Sequence, residues 1–398
     1  GQWGGLIVLG NATTNFGGVA QVEGIPSDND QASYGGDDDA DNSGVLRFVS
    51  VRHGGAELGA ANEINGITFA GVGSGTIVEN VEVVSNLDDG IEFFGGSVSV
   101  KNAVVAFCGD DSFDWDQGYH GQLNENWLAI QDQPGAIGDR GGELDGDDSD
   151  DGNVSSDEMP FSTPTVVGWT IVGVGGGQGL LFRNGSGGHV SNAVIANVAE
   201  GIEIEDKETP MDAFDHWVNG DLTLGNITVL GDDALDYDGT EVEDGDAQLD
   251  AYAADNGIAV DNSLEVDYTF GFNASGTSAT DTLDLECGLG SGHAWALGWT
   301  FCDAINLFGG QGGVSTVAEG GSKRLVLWPN PASGSDVHVG GLVTGAALEV
   351  RNVMGKIVWQ GAVSAGTALL PAATWSTGTY ILSWNEAGVL GRQRFIVQ

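Results

Sequence analysis

Basic residues are scarce in this sequence of 398 residues. It contains 12 Lys and Arg against 58 Asp and Glu, which gives a formal net charge of −46. Nucleic acids and anionic membrane surfaces bind proteins through cationic surfaces, so neither is expected as a partner. A chain this acidic repels itself unless counterions or bound metals screen its charges. The composition therefore predicts a cation-rich environment and excludes a nucleic-acid-binding function.

Long apolar runs are also absent, because Gly or Asp interrupts the apolar stretches after a few residues. A membrane-spanning helix needs about 18–20 consecutive apolar residues, so no transmembrane segment is expected. Apolar residues still make up 41% of the sequence. This share is enough to build a core, and the chain is expected to fold despite its charge.

Cysteine is sparse as well, with three residues in the whole chain. Cys287 and Cys302 are 15 positions apart. They are candidates for a disulfide that would stabilise the fold by about 3 kcal/mol if it forms. Cys108 ends an apolar run and is predicted to be a buried thiol.

The charge is unevenly distributed along the chain. Residues 323–398 contain six basic and three acidic residues, whereas the rest of the chain contains six basic and 55 acidic residues, a net charge of −49. The change follows a Gly- and Ser-rich stretch. We therefore predict an acidic domain over residues 1–308, a linker over 309–322 and a small basic domain over 323–398.

The acidic domain contains an internal repeat with a period of 22 positions. This offset pairs Asn80 with Asn102, Asp88-Asp89 with Asp110-Asp111, and Ile91 with Phe113. A further step of 22 places Asn124 in the same column as Asn102. A unit this short cannot hold a helix with its connections, but it suits short strands separated by Gly, Asn and Asp turns.

Stacked coils of such strands pair in parallel at about 4.8 Å per coil and align equivalent side chains in columns. The sequence therefore predicts an all-β protein in which a right-handed parallel β-helix fills the acidic domain. Residues 240–308 are less regular and are predicted to form the closing coils and a cap, since they are rich in aromatic residues: Tyr252, Tyr268, Phe270, Phe272, Trp295, Trp299 and Phe301.

Two acidic blocks one repeat apart allow a catalytic interpretation. Residues 88–91, Asp-Asp-Gly-Ile, and residues 109–113, Gly-Asp-Asp-Ser-Phe, resemble two signature blocks of polygalacturonase-type glycosidases. The resemblance implies a polysaccharide-degrading hydrolase or lyase that uses Asp89, Asp110 and Asp111 as its acid and base groups.

Two observations weigh against catalysis and keep it as the alternative. The block at residues 109–116 recurs at residues 231–238, whereas a catalytic site is normally single. The Arg-x-Lys block of the family is missing, and its Gly-His-Gly block has only a faint counterpart at residues 187–189. We therefore expect a binding protein rather than an enzyme.

An acidic stretch at residues 147–158 matches the spacing of a calcium-binding loop. The side chains at positions 1, 3, 5, 9 and 12, together with the carbonyl at position 7, would supply the ligands. Gly152 would make the sharp turn at position 6. An all-oxygen set favours Ca²⁺ over zinc, and the alternative is a solvated acidic loop without metal. The predicted ligands are Asp147, Ser149, Asp151, Asn153, Ser155 and Glu158.

The basic C-terminal domain alternates apolar and polar residues in short runs. Such runs occur at residues 348–353, 356–359, 380–384 and 394–397, with turn residues between them. This pattern predicts a small immunoglobulin-like β-sandwich over residues 323–398.

Four sequence blocks in this domain go beyond the strand pattern. Leu-Trp-Pro-Asn-Pro begins at residue 327, Asn-Val-Met-Gly-Lys at 352, Ser-Thr-Gly-Thr-Tyr at 376 and Arg-Gln-Arg-Phe-Ile-Val at 392. Together they resemble the C-terminal sorting domain of the type IX secretion system of Bacteroidota, with Trp328 in place of the usual Tyr and Asn352 in place of the usual Asp. The candidate sorting residues are Trp328, Pro329, Asn330, Pro331, Gly355, Lys356, Gly378, Tyr380, Arg392 and Arg394.

The resemblance implies export across the outer membrane and a cell-surface or extracellular location. Its expected partners are the type IX translocon and an outer-membrane β-barrel shuttle protein, which would bind residues 323–398, and surface polysaccharide. The acidic domain is similar to uncharacterised surface proteins of the same phylum, for example at residues 2–7 and 88–92. We expect an exported cargo protein whose β-helix, loaded with Ca²⁺, serves in adhesion or in binding to glycans.

Overall fold

Short strands separated by tight turns repeat along the acidic part of the chain. The computed structural model describes residues 2–26, 29–56, 64–131, 138–146, 159–207, 211–240, 242–261, 294–304, 325–328, 334, 336–340, 344–352, 356–364, 367–386 and 389–397. They belong to two units, Gly1–Gly309 and Gly310–Gln398, which are described one at a time. Strands dominate the regular structure of both units, so the predicted all-β class is confirmed.

The first sheet of the acidic unit has eight strands, and all neighbours in it are parallel. Ile91 pairs with Phe113 and Leu180 pairs with Ile202, which is the predicted spacing of 22 positions. In order across the sheet, the strands are β1 (Leu6–Leu9), β5 (Ile67–Ala70), β7 (Ile91–Phe94), β9 (Phe113–Asp116), β11 (Gly142–Asp145), β13 (Gln178–Arg183), β15 (Glu200–Asp206) and β17 (Asp236–Gly239).

The second sheet also has eight strands in parallel, and the chain alternates between the two sheets. A chain that returns to each sheet once per coil forms a parallel β-helix, as predicted. The strands are β4 (Val45–Arg52), β6 (Ile77–Val84), β8 (Val100–Ala106), β10 (Asn124–Ile130), β12 (Thr165–Val172), β14 (Gly188–Ala196), β16 (Leu222–Leu230) and β18 (Ile258–Val260).

Aromatic rings stack along the interior of the β-helix. The Trp127 ring lies 4.5 Å from the Phe113 ring and 5.7 Å from the Phe93 ring, measured between centroids, and is nearly parallel to both. These three residues and Trp169 are fully buried. Trp127 and Trp169 are paired positions of successive coils, with centroids 5.0 Å apart, whereas Phe93 and Phe113 reach Trp127 from the other sheet. Large rings therefore make the core continuous both across the interior and along the axis.

The strands of the second sheet, except the short β18, each bend at one residue with positive φ. Asn tolerates this left-handed conformation, and its amide can bond to the next Asn. The Asn102 amide donates to the Asn80 amide oxygen at 3.0 Å, and the Asn126 amide donates to Asn102 at 2.8 Å. The prediction that Asn124 continues this column is wrong, because this coil is two residues longer and Asn126 takes the place. Asn124 instead accepts a hydrogen bond from the Val100 N–H at 2.8 Å.

Three α-helices occur among the described residues: α1 (Ala213–Asn219), α2 (Gly245–Asn256) and α3 (Phe301–Ala304). Helix α2 packs against β16, β17 and β18, the last strands of the two sheets, and buries Leu249 and Ala253 in the interior. It closes the core at the last described coil, within the region predicted to hold the cap. None of the described helices combines the length and apolar character that crossing a membrane requires.

An arm leaves the β-helix after β1 and covers part of the outer face of the first sheet. This N-terminal arm comprises residues 10–44 and includes the antiparallel hairpin of β2 (Ala20–Gln21) and β3 (Ser33–Tyr34). Val22 and Tyr34 of the arm pack against Ala70 and Phe94 of the sheet. The arm therefore shields outward-facing side chains of β5 and β7 from solvent.

Residues 294–304, which we call the strap, run across the outer face of the second sheet. The N–H groups of Phe301 and Cys302 donate to the two oxygens of Glu82 at 2.8 and 3.1 Å. Glu82 is fully buried and also accepts a hydrogen bond of 2.6 Å from the Ser50 hydroxyl. These residues, predicted as part of an end cap, instead cover the side of the β-helix.

The C-terminal unit consists of two antiparallel sheets, in agreement with the predicted β-sandwich. Tyr380, Leu382 and Phe395 from one sheet and Val337 and Leu370 from the other belong to a single apolar core. One sheet contains β19 (Val326–Trp328), β20 (Val337–Gly340) and β23 (Thr367–Leu370); the other contains β22 (Ile357–Ala362), β21 (Ala347–Asn352), β24 (Gly378–Glu386) and β25 (Val389–Val397).

Replacing Trp127 with Ala tests the interior stack. The variant loses the contacts of a fully buried ring and the 3.1 Å hydrogen bond from its Nε1 to the Val100 carbonyl. We expect it to be about 3–5 kcal/mol less stable in urea unfolding. The control is Trp3→Ala, whose ring is 46% exposed and whose loss should cost less than about 1 kcal/mol. Equal losses in the two variants would contradict the stacked core.

Candidate functional site

Carboxylates line the outer face of the first sheet. Side chains alternate along a strand, so Ile91 and Phe93 point into the core of the β-helix and Glu92 points outward. The same ladder position holds an acid in five strands, whose residues are Glu92, Asp114, Glu143, Glu203 and Asp236. We call this surface, with its turns, the acidic face: Asp88, Asp89, Glu92, Asp110, Asp111, Asp114, Asp116, Asp139, Glu143, Asp145, Glu200, Glu203 and Asp236.

Two of the turn aspartates accept hydrogen bonds from the next coil. Oδ1 of Asp89 accepts one from the Asp111 N–H at 2.9 Å, and Oδ1 of Asp111 accepts one from the Arg140 N–H at 2.6 Å. Both carboxylates are buried. One oxygen of each therefore holds neighbouring turns in register, while the carboxylate still faces the surrounding acids.

Two arginines neutralise one part of the acidic face. Nη1 of Arg140 lies 2.7 Å from Oε1 of Glu143 and 3.6 Å from Oδ2 of Asp111. Arg183 donates to both oxygens of Asp145, at 2.7 and 3.0 Å, and lies 3.1 Å from Oε2 of Glu143. Bidentate pairs of this kind are among the strongest charged hydrogen bonds. We call Asp111, Glu143 and Asp145 the arginine-bound cluster.

The preceding coil has no such partner. Among the residues that the structure describes, no Arg, Lys or His forms an ion pair with Asp89, Glu92 or Asp114, which we call the arginine-free cluster. Burial raises the pKa of all three carboxyl groups well above the ordinary range, and repulsion by neighbouring carboxylates raises it further. Their charged forms are therefore costly unless a cation is present.

Carboxylate oxygens on the acidic face lie close enough to share an ion. Within each of several groups of three acids, one oxygen per residue lies within 4.8 Å of the others. Ca²⁺ takes six to eight oxygen ligands at about 2.3–2.6 Å, so these all-oxygen sets fit a hard cation better than zinc. Such groups include Asp88–Asp89–Asp110, Asp89–Glu92–Asp114, Asp110–Asp111–Asp139, Asp111–Asp114–Glu143 and Glu200–Glu203–Asp236.

The last of these groups lies toward the C-terminal end of the same face. The Gln178 amide donates to Glu203 at 2.9 Å and to Glu200 at 3.4 Å. A hydrogen bond with the Glu203 carboxyl, followed by burial and repulsion, raises the pKa of Glu200 to about 7. The Glu200 carboxyl therefore holds a proton at mildly acidic pH and shares it in a hydrogen bond with Glu203.

The structure brings together the three residues of the catalytic alternative. Asp89 and Asp110 belong to one group of close oxygens, and Asp110 and Asp111 to the next. The ligands predicted for the calcium loop, between residues 147 and 158, lie outside the described residues, so that site stays a prediction.

The cysteines have different outcomes. Cys108 is a buried free thiol, as predicted, and burial raises its pKa to about 12. Cys302 in the strap is also buried. Its predicted disulfide partner, Cys287, lies outside the described residues, so the disulfide stays a prediction.

Several predicted sorting residues lie in strands of the C-terminal unit. The Tyr380 ring is buried and packs 5.0 Å from the Trp375 ring and 5.8 Å from the Phe395 ring. The Lys356 N–H donates to Asn352 at 3.0 Å, at the start of β22. Trp328 ends β19, Gly378 begins β24, Arg392 and Arg394 lie in β25, and Pro329, Asn330, Pro331 and Gly355 are outside the described residues.

The sequence analysis did not identify the outward-facing acids of the strands as site residues. It also missed the two arginines that pair with acids of this face. Glu92 and Asp114 are 22 positions apart and so occupy one column of the repeat. Strand alternation would have placed both outside and next to each other. Arg140 and Arg183 lie where the coils no longer have a length of 22 residues, so the repeat did not indicate their positions. Glu143, for example, pairs with Asp114 at a spacing of 29 positions.

The chain was compared with known protein families and with curated proteins. A family model described as "Pectate-lyase like beta helix domain" matches residues 1–300. This match covers well over half of the 398 residues, and the chain therefore belongs to the pectate-lyase-like β-helix family. No curated protein matches it.

Two solved structures are similar to parts of the chain. PorZ of Porphyromonas gingivalis, described as a surface component of the type IX secretion system, is 18% identical over 19% of this chain and 11% of its own, with a TM-score of 0.18. Tailspike protein 2 of the Escherichia coli O157:H7 bacteriophage CAB120 is 11% identical over 89% of this chain and 52% of its own, with a TM-score of 0.27. The chain thus spans about a tenth of the first protein and about half of the second.

The shared proton of Glu200 predicts a pH dependence of stability. Its folded pKa of about 7 lies above the ordinary value of about 4.3 for Glu, so the folded chain binds a proton that the unfolded chain releases. Without added metal, stability should fall as pH rises from about 4.3 to about 7. Glu200→Gln should flatten this decline in thermal melts over that range. Identical slopes in the two proteins would contradict the shared proton.

Proposed function

We propose that this chain is an exported, cell-surface-associated β-helix protein that binds divalent cations, Ca²⁺ in particular, and glycans through them. The observation that supports this function is the repetition of close carboxylate triplets along the acidic face. A binding surface can repeat with the coils of the fold, whereas a catalytic centre is normally single. Adhesion or glycan binding therefore accounts for the face better than catalysis does.

Electrostatics require a cation for this role. An acidic glycan would be repelled by a face so rich in carboxylates, and a neutral glycan would find few donors there. A bound Ca²⁺ reverses the local charge and keeps coordination positions that glycan carboxylates or hydroxyls can occupy. Asp110 and Asp139 are the exposed members of their triplets and Asp88 is half-buried, so these residues would hold the bridging ions.

The predicted loop at residues 147–158 would supply a further Ca²⁺ site. Its ligand spacing is the support for this part of the proposal, because a loop of twelve residues with oxygens in that register can surround one ion. Surface polysaccharide is the proposed partner of the β-helix.

A polysaccharide-degrading enzyme is the second candidate. The adjacency of Asp89, Asp110 and Asp111 favours it, since clustered carboxyl groups with raised pKa values can act as acid and base. The family description, which likens the fold to pectate lyase, points in the same direction. The repetition of the triplets along the face is the observation against it.

Export is proposed to depend on the C-terminal unit. The four sequence blocks of residues 327–397 support its identification as a type IX sorting domain, and so does its antiparallel sandwich. The net charge of +3 on residues 323–398 distinguishes them from the acidic unit. The translocon and an outer-membrane β-barrel shuttle protein are the proposed partners of this unit, and the cell surface is the proposed destination.

Glycan binding is tested with the double variant Asp110→Asn/Asp139→Asn of the full chain. We expect binding to a polyuronate panel to require Ca²⁺, to be lost in chelator, and to be at least about tenfold weaker in the variant. The matched control is Asp250→Asn/Asp255→Asn, which removes the same charge from exposed positions of α2 and should bind as the parent does.

Other results of this assay would contradict the proposal. Ca²⁺-independent binding, or equal losses in the two double variants, would show that the charge of the chain matters and not the triplets. Release of new chain ends from the polysaccharide, abolished by Asp89→Asn/Asp111→Asn, would establish the enzymatic alternative.

Export is tested by deleting residues 323–398. In a bacterium with a type IX system, the shortened chain should accumulate in the periplasm, whereas the full chain should reach the surface. The control is a fusion of residues 310–398 to a soluble periplasmic reporter, which should be exported. Normal export of the shortened chain would contradict the sorting assignment.

A further inference from the structure

One group of carboxylates on the acidic face differs from the exposed triplets by its burial. We propose that the arginine-free cluster, Asp89, Glu92 and Asp114, holds one structural divalent cation of the oxygen-seeking kind, such as Ca²⁺, next to the N-terminal arm. This ion is distinct from the exposed ions of the proposed function. Its role is to stabilise the fold, and it does not require that glycans bind.

The geometry provides a compact set of ligands. Asp89, Glu92 and Asp114 are 7%, 9% and 9% exposed, and one oxygen from each lies within 4.8 Å of the others. Asp89 is in the turn before β7, Glu92 is in β7, and Asp114 pairs with Glu92 from the adjacent β9. Parallel pairing therefore fixes the spacing of the oxygens without help from a flexible loop.

One oxygen of this cluster has no partner in the part of the chain that the structure describes. Oδ1 of Asp114 is buried and accepts no hydrogen bond. A buried carboxylate oxygen without a partner costs the full loss of its hydration, so such atoms are rare in native proteins. The Asp114 carboxylate that carries this oxygen lies beside two further carboxylates, which makes a cation the partner that this environment attracts most strongly.

The next coil provides an internal comparison. Its arginine-bound cluster is also built of stacked carboxylates, and there Arg140 and Arg183 lie 2.7–3.6 Å from the acid oxygens. The two clusters are adjacent along one face and share the same strand pairing. In the first cluster no guanidinium group of the described residues lies within ion-pair distance, so a metal ion there would replace what arginine supplies in the second.

The N-terminal arm closes the site from outside. The Asn65 amide donates to Glu92 and, at 2.9 Å, to Oε1 of Glu23, which lies in the arm. Beside this link, Val22 of the arm is buried against the same sheet. An ion in the cluster would therefore attract a fourth carboxylate from the arm and would couple its own binding to the docking of the arm.

The test compares full-length variants after exhaustive chelation and again with added CaCl₂ at pH 7.5. The bound metal is counted by elemental analysis and stability is followed by thermal melting. Asp114→Asn should bind about one ion fewer per chain, and its Tm should rise with Ca²⁺ by less than half as much as that of the parent. Without metal, its Tm should equal or exceed that of the parent, because the variant removes an uncompensated buried charge.

Two further variants serve as a replacement and as a control in this test. Glu92→Gln should repeat both effects if Asp114→Asn fails to fold. Glu82→Gln removes a buried carboxylate of the second sheet and should lower Tm equally with and without Ca²⁺. In the parent, Ca²⁺ should slow hydrogen exchange in residues 19–25 of the arm and 89–94 of the sheet.

Some results would overturn the proposal. An unchanged ion count in both cluster variants would do so, as would an equal Ca²⁺-induced rise in Tm in those variants and the parent. Failure of the proposed function is a separate result, because glycan binding and the Ca²⁺-induced rise in Tm are measured on different variants. Asp110→Asn/Asp139→Asn should lose glycan binding but keep the Ca²⁺-induced rise in Tm.

Discussion

The structure depends on the parallel pairing of equivalent residues, one coil above the next. Where the repeat is regular, this pairing places similar side chains of successive coils next to one another. In the interior it aligns aromatic rings such as Phe69 and Phe93, and at the bends of the second sheet it aligns Asn80 with Asn102, where the result is favourable. On the outer face of the first sheet it aligns Glu92 with Asp114, where like charges repel. The same pairing that stabilises the core therefore also places like charges next to one another on this face.

The repulsion between these carboxylates is compensated differently at two places on the acidic face. Around Glu143 the chain uses two of its few arginines. Around Asp89 and Glu92 the described residues offer no such partner, and the carboxyl groups keep raised pKa values. In our proposal a cation supplies the missing positive charge, so the acidic composition and the proposed cation dependence have one cause.

The fold was predictable from the sequence because the 22-residue repeat shows the spacing of the coils. The site was predictable only in the coils that keep this spacing. Asp89, Asp110 and Asp111 lie in coils that keep the regular spacing, and their proximity follows from the repeat. The prediction that Asn124 continues the Asn column failed because the coil before Asn126 is longer. A longer turn shifts the register of the next strand but leaves the strand itself unchanged. Arg140 reaches Asp111 across a turn of a different length, and Glu82 bonds to Phe301, which is 219 positions away. Contacts between segments that are far apart in sequence leave no local pattern.

The strap changes how the β-helix responds to a pull from its C-terminal side. Tension that arrives along the chain from residue 305 first meets residues 294–304, which are fastened to Glu82 near the opposite end of the β-helix. The load therefore passes across many coils before it reaches the last strands, which would otherwise peel away one at a time. A pull from the C-terminal side would therefore be resisted first at the hydrogen bonds of one buried glutamate.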